Sequence, residues 1–275
     1  MNGSDWLSIA QGEAPLIVSM PHTGTQIASD IEPRLVSPWL ARKDADWWVD
    51  RLYDFASALG ATVIRTNISR TVIDVNRDPS GKSLYPGQNT TELCPTTTFD
   101  GEPLYRDCET PGDAEIETRR ARYFDPYHDA IGQEIARLRR SYERIVLFDA
   151  HAIRSRIPRL FAGELPHLNI GTNSGTSCAD RLSAAVDAAC AASDFSRVVN
   201  GRFKGGYTTR HYGQPTQGVH AIQLELACRG YMDEPETPAP DTWPAPYEPI
   251  RAKPLSELLQ RILEVCLKFE AKDKP

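Results

Sequence analysis

Four stretches of this 275-residue sequence carry reactive groups at the end of, or inside, an apolar run. "VSMPHTG" sets His22 just after a β-branched stretch, and "TVIDVNRD" ends on Asn76 and Arg77. "IVLFDAHAIRSR" carries Asp149, His151 and Arg154. "HAIQLELACR" places Glu225 in an apolar strand, with Gln223 two residues away on the same face. Two imidazoles and one carboxylate make a metal site that keeps a position open for water. His22, His151 and one of two aspartates opening a helical pattern, Asp44 or Asp46, can supply it. Water bound there has its pKa lowered to about 7 and can attack a carbonyl that the metal polarises. Glu225 is the candidate general base, because a carboxylate in an apolar strand needs a partner or a function. Asp149 is a candidate to orient His151.

Each group also has a plainer reading. A lone histidine after a strand is commonly a loop or core residue. Arg70 and Arg77 can pair with Asp74 and Asp78, and Arg229 can neutralise Glu225. His128 and His167 read as structural. Taken together, the residues point to a metallohydrolase acting on an anionic molecule.

Such groups need elements to hold them. Apolar, β-branched runs predict strands at 16–20, 61–68, 71–75, 144–148, 168–170, 196–200 and 220–226. Helical spacing predicts helices at 44–59, 114–123, 126–142, 177–192 and 254–269, with Pro126 opening the third. Alternating strands and helices predict a three-layer α/β sandwich around a mixed, mostly parallel sheet. Ligands sit at the carboxyl ends of such strands. Residues 1–275 are read as a single α/β domain. Residues 77–112 lack periodicity, and a loop that long suggests a lid or binding loop. Residues 230–252 hold six prolines and read as a surface crossover.

Lys and Arg number 31 against 37 Asp and Glu, a net charge of −6. That argues against a nucleic-acid partner but not against a small anion gripped by local arginines. No apolar run approaches the roughly 18–20 residues of a membrane span. The first residues lack the basic start and apolar stretch of a signal peptide, so a cytoplasmic location is expected. The six cysteines form no CxxC and are expected to be reduced. Cys94 and Cys108 fall in a loop expected to expose them.

The sequence resembles the N-formylglutamate amidohydrolase family. The matching segments include "PLIVSMPHTG", "DADWWVDRLYDFA", "NISRTVIDVNRDPSG", "LCPTTTFDGEPLY", "PYHDAI", "LFDAHAIRSRIPRLFAGELPHLNIGTNSGTSC", "GRFKGGYTTRHYGQP" and "GVHAIQLELACRGYM", in the family's order. The resemblance implies a fold similar to zinc-dependent exopeptidases. It implies hydrolysis of N-formyl-L-glutamate to formate and L-glutamate, the last step of histidine degradation. His22, Asp46 and His151 fall where metal ligands are expected, with Zn²⁺ the implied ion and other divalent transition metals also suited. Asp46 is preferred to Asp44 because the family's Asp-Trp pair is Asp46-Trp47 here. The chain departs from the exopeptidase pattern in having no acid soon after His22. Glu225 falls at the general-base position, and Asn76-Arg77 resembles a pair that grips a substrate α-carboxylate. The substrate is a small dianion and calls for two donor clusters. Arg154, Arg210 or Arg70 is a candidate for the second carboxylate, with Thr208, Thr209 and His211 as added donors. Arg154 is also a candidate for the developing oxyanion.

Overall fold

The computed structural model describes residues 5–270. Seven strands form one sheet: β1 (Leu7–Ala10), β2 (Leu16–Met20), β3 (Thr62–Thr66), β4 (Ile145–Ile153), β5 (Leu168–Gly171), β6 (Arg197–Val199) and β7 (Val219–Ala227). Their order is β1-β3-β2-β4-β7-β5-β6. Four neighbour pairs are parallel; β1 against β3 and β5 against β7 are antiparallel. The sheet is thus mixed and mostly parallel, as the strand–helix alternation predicts.

Helices α1 (Leu40–Lys43), α2 (Val49–Leu52), α3 (Asp113–Arg119), α4 (Asp125–Arg139), α5 (Asp180–Ala191), α6 (Tyr207–Tyr212) and α7 (Pro249–Glu270) complete the fold. Leu16, Val18, Val146, Phe148, Ile222 and Leu224 pack against α2, α5 and α7. Ile17, Leu147 and Ala221 turn the other way, onto a core with Tyr127, Ile131 and Leu138 of α4. β2, β4 and β7 are buried throughout because both faces are covered, so they read as apolar runs rather than as alternating ones.

Four expectations change. Residues 71–75 form a turn, not a strand. Ser69 Oγ accepts the Thr71 N–H, Thr71 Oγ1 donates to the Ala41 carbonyl, and the Asp74 N–H goes to Leu93. Val72 and Ile73 are buried, but the Val72 N–H donates to the Ser69 carbonyl and its carbonyl accepts Arg119 Nη1, and no ladder forms. The helix expected at 44–59 splits into α2 and a 3-10 turn at Asp54–Leu59. Trp48 stands at φ 64°, which no helix continues through. Asp44 and Asp46 therefore lie in a connection, free to point at the site. β4 runs on to Ile153, so His151 lies inside a strand rather than after one. Edge strand β1 and the short α6 had no sequence signal long enough to predict them. The long loop does lack regular structure from 77 to 112, but it buries Cys94, which was expected to be exposed; Cys108 is exposed.

Candidate active site

β2, β4 and β7 are adjacent and parallel, so their carboxyl ends open on one edge of the sheet. Side chains alternate between faces along a strand. Leu147 packs on the α4 side, which puts Asp149 and His151 on that side too; Ala221 does the same for Gln223 and Glu225. The register pairs Asp149 with Gln223 and His151 with Glu225. α4 covers the first part of this face, and the polar groups stand where its cover ends.

His22 follows β2 and meets them there. Its Nδ1 lies 3.7 Å from Asp46 Oδ2, and His151 Nδ1 lies 2.9 Å from the same oxygen. All three residues are buried, with ligand atoms within 4.8 Å of one another. Ligands about 2.0–2.1 Å from a shared tetrahedral ion stand roughly 3.4 Å apart. The observed spacings bracket that value, and His22 Nδ1 is buried without a hydrogen-bond partner. The donor set could therefore hold a metal ion. It selects Asp46 over Asp44, whose Oδ2 accepts the Phe99 N–H at 2.6 Å.

The far nitrogen of each imidazole is also held. His22 Nε2 lies 2.7 Å from Asp74 Oδ1, and His151 Nε2 lies 3.1 Å from Asp149 Oδ2. A carboxylate behind each histidine holds its ring in place. The Asp149 role agrees with expectation. Asp74 was read only as an arginine partner, and its place behind His22 needs a contact across 52 residues. Burial pushes the Asp46 carboxyl up, but hydrogen bonds from His151 and His22 outweigh it and hold the group below its ordinary value. Burial also opposes charge on Asp74, where Arg70 and Arg77 prevail. Burial pushes Glu225 up to about 7, against the pull of His151.

Asn76 is a hub. Its Oδ1 accepts the Thr208 N–H at 2.7 Å, which turns Nδ2 toward Asp149 Oδ2 (3.0 Å) and His151 Nε2 (2.8 Å). Gly206 is the residue that lets α6 come this close, since a Cβ there would sit 2.4 Å from Asn76 Nδ2. The Gly206 N–H donates to Gln223 Oε1, and Gln223 Nε2 donates to Glu225 Oε2 at 3.1 Å.

A cavity of about 570 Å³, open mouth included, lies over these groups. Of the expected site residues, His22, Arg70, Asn76, Arg77, His151 and Glu225 line it. Arg70 sits over the Phe99 ring and binds Asp74 Oδ2 at 2.5 Å. Arg77 donates to the Thr91 carbonyl and hydroxyl. The other expected residues are used differently. Arg154 is spent on Asp100 (2.6 Å) and Asp44 (3.3 Å), outside the cavity wall. Arg210 donates to the Gly205 carbonyl and covers Tyr85; His211 stacks on Tyr207. Thr209 is buried with its hydroxyl 3.5 Å from Asp149, and Asn76 spends its amide on protein groups. Arg154, Arg210, His211 and Thr209 lie outside the cavity lining, whereas Asn76 lines it with its amide already bonded to Asp149 and Thr208. Arg202, which the sequence reading passed over within "GRFKGG", does line the cavity. His128 and His167 are structural, bonded to Val75 and Ser196 respectively.

A profile of the N-formylglutamate amidohydrolase family matches residues 14–232. The N-formylglutamate deformylase of Pseudomonas aeruginosa is 46% identical over 258 residues, covering 94% of this chain and 96% of that protein. That of Pseudomonas putida is 42% identical over 266 residues, covering 96% and 97%. The crystal structure of an N-formylglutamate amidohydrolase from Ralstonia eutropha JMP134 superposes with TM-score 0.79 at 21% identity, covering 98% of this chain and all of that one. A gene product of Agrobacterium tumefaciens superposes with TM-score 0.70 at 15% identity, over 97% and 95%. At those identities the two structures speak for the fold alone.

Proposed function

The chain belongs to the N-formylglutamate amidohydrolase family, and from that premise we propose that it hydrolyses N-formyl-L-glutamate to formate and L-glutamate at the His22–Asp46–His151 cluster. The observation that carries the reading is the pair of buried imidazoles, each backed by a carboxylate and both facing Asp46 beside Glu225.

His22 Nδ1, Asp46 Oδ2 and His151 Nδ1 would hold the ion. A divalent ion held there supplies Lewis-acid activation of the formyl carbonyl and of water. Glu225 takes a proton from the attacking water. One of its oxygens is held by Gln223 and the other is open to the cavity. As the carbon–nitrogen bond breaks, Glu225 returns the proton to the leaving amine, giving formate and the amino group of glutamate. Arg70, fixed by Asp74 and Phe99 and lining the same cavity as His22 and His151, is the group proposed to stabilise negative charge on the formyl oxygen. Arg77 takes the α-carboxylate, which sits one carbon from the scissile nitrogen. Phe99, Leu160 and Phe203 line the cavity and restrict water. The place in histidine degradation rests on the same reading.

Among the described residues no helix is long and apolar enough to cross a membrane.

Formate release from N-formyl-L-glutamate, with and without chelator and added Zn²⁺, tests the reading. Turnover that is lost on chelation and restored by the metal supports it. Equal rates on N-formyl, N-acetyl and N-succinyl glutamate would overturn the deformylase assignment.

A further inference from the structure

Three guanidinium groups line the cavity, and they are not equally matched by acids. Arg70 has Asp74 at 2.5 Å, and Arg77 has the same Asp74 at 3.6 Å. Among the described residues Arg202 has no carboxylate within ion-pair distance. It is nonetheless partly buried and held in place. Its Nε donates to the Leu160 carbonyl at 2.9 Å, and one Nη donates to the Asn89 carbonyl at 3.1 Å. The guanidinium carbon lies 5.3 Å from the Tyr85 ring centre and 5.1 Å from that of Phe203. Its Nη1 makes no hydrogen bond to any described residue.

A cation fixed by two carbonyls and two rings, with donor capacity to spare, is arranged for an incoming anion. Burial lowers its pKa and the Arg77 charge adds to this, against the opposing pull of Tyr85 and Glu225. The two arginines have different roots. Arg77 adjoins Asn76, whose amide touches His151, whereas Arg202 follows β6 and is tied to the loops of Asn89 and Leu160. In N-formylglutamate the α-carboxylate is attached next to the reacting amide. The second carboxylate stands further out along the side chain.

We propose that Arg202 binds the distal carboxylate of the substrate and thereby sets the preference for an acidic side chain. This deepens the deformylase reading and rests on it. Tyr85 and Phe203 act as positioning residues for the guanidinium. Tyr85 is itself anchored, because its hydroxyl donates to the Gly205 carbonyl and accepts the Lys204 N–H, both at 3.0 Å.

The test compares N-formyl-L-glutamate with N-formyl-L-glutamine, which is the same length but carries a neutral amide. R202Q is expected to lower kcat/KM for the glutamate substrate about 10–100-fold, the range of a lost hydrogen bond to a charged group, mainly through KM. Turnover of the glutamine substrate should change little, which also shows that the variant is folded. R202K should recover part of the loss. R77Q should impair both substrates, since both keep the α-carboxylate. An equal loss on both substrates in R202Q, or an unchanged ratio, would overturn the proposal. Binding of glutarate against glutaramate needs no turnover and separates the two readings. If the wild type favours glutarate and R202Q does not, the subsite stands even if formate is never released. If R202Q keeps the wild-type preference, the subsite fails whatever the reaction.

Discussion

At the scale of single residues, the site combines a buried acid with two oriented imidazoles. Glu225 faces His151 in register and has one oxygen free, so E225Q keeps the shape and removes the proton carrier. We expect kcat to fall roughly 10²–10⁴-fold with metal content unchanged, measured by formate release and elemental analysis. A near-native rate would assign the proton transfer elsewhere. Asp74 acts through His22, so D74N should weaken metal affinity about 10–100-fold, read by competition with a chromogenic chelator. Gly206 acts through Asn76. An alanine Cβ there would collide with the Asn76 amide, and G206A should cost roughly 10–100-fold in kcat while circular dichroism stays native.

At the scale of elements, the segment that matters is the turn at 96–103. A bridge between Thr97 and Pro103 closes it, and it carries Phe99 over Arg70. Charges tie it down, with buried Arg154 and Lys43 as the cations. Arg154 binds Asp44 and Asp100, and Lys43 binds Asp100 (2.7 Å) and Glu102 (2.6 Å). Removing one member of a buried ionic group leaves the others uncompensated. R154Q should therefore destabilise the fold by roughly 3–5 kcal/mol in urea titration, because Asp44 loses its cation. If R154Q instead raised KM with stability intact, Arg154 would be a substrate contact after all.

At the scale of the whole molecule, two buried histidines other than His22 and His151 set an acid limit on stability. Burial pushes His128 and His220 each down to about 4. His220 accepts the Ala179 N–H on Nδ1 and packs against Phe269. Unfolded histidine titrates near 6.5, so between about pH 6.5 and 4 the unfolded chain binds more protons than the folded one. Stability is complete above that window and is lost as pH falls through it. Each histidine should remove roughly 2 kcal/mol by pH 5. Urea midpoints at pH 7 and pH 5 should therefore lie closer together in H220N than in the wild type. An unchanged gap would show that His220 does not contribute.

The sequence alone determined what depends on near neighbours. Period-two alternation in the strand predicted at 220–226 already sets Gln223 and Glu225 on one face, and the order of strands and helices already implies the mixed sheet; Asp149 and His151 join that face only because β4 runs on to Ile153. That is why His22, His151 and Glu225 were legible as a constellation. Only the tertiary structure decided which acid completes it. Asp44 and Asp46 are two residues apart in sequence, yet one meets the imidazoles and the other meets Phe99 and Arg154. The same holds for the arginines. Arg154 was a candidate for substrate because its partner Asp100 is 54 residues away, and Arg202 was passed over because Asn89 and Leu160 reach it from two separate loops. Local spacing carries no record of such contacts. They arise where loops with no period of their own are folded over the end of the sheet, and that is where substrate must be recognised.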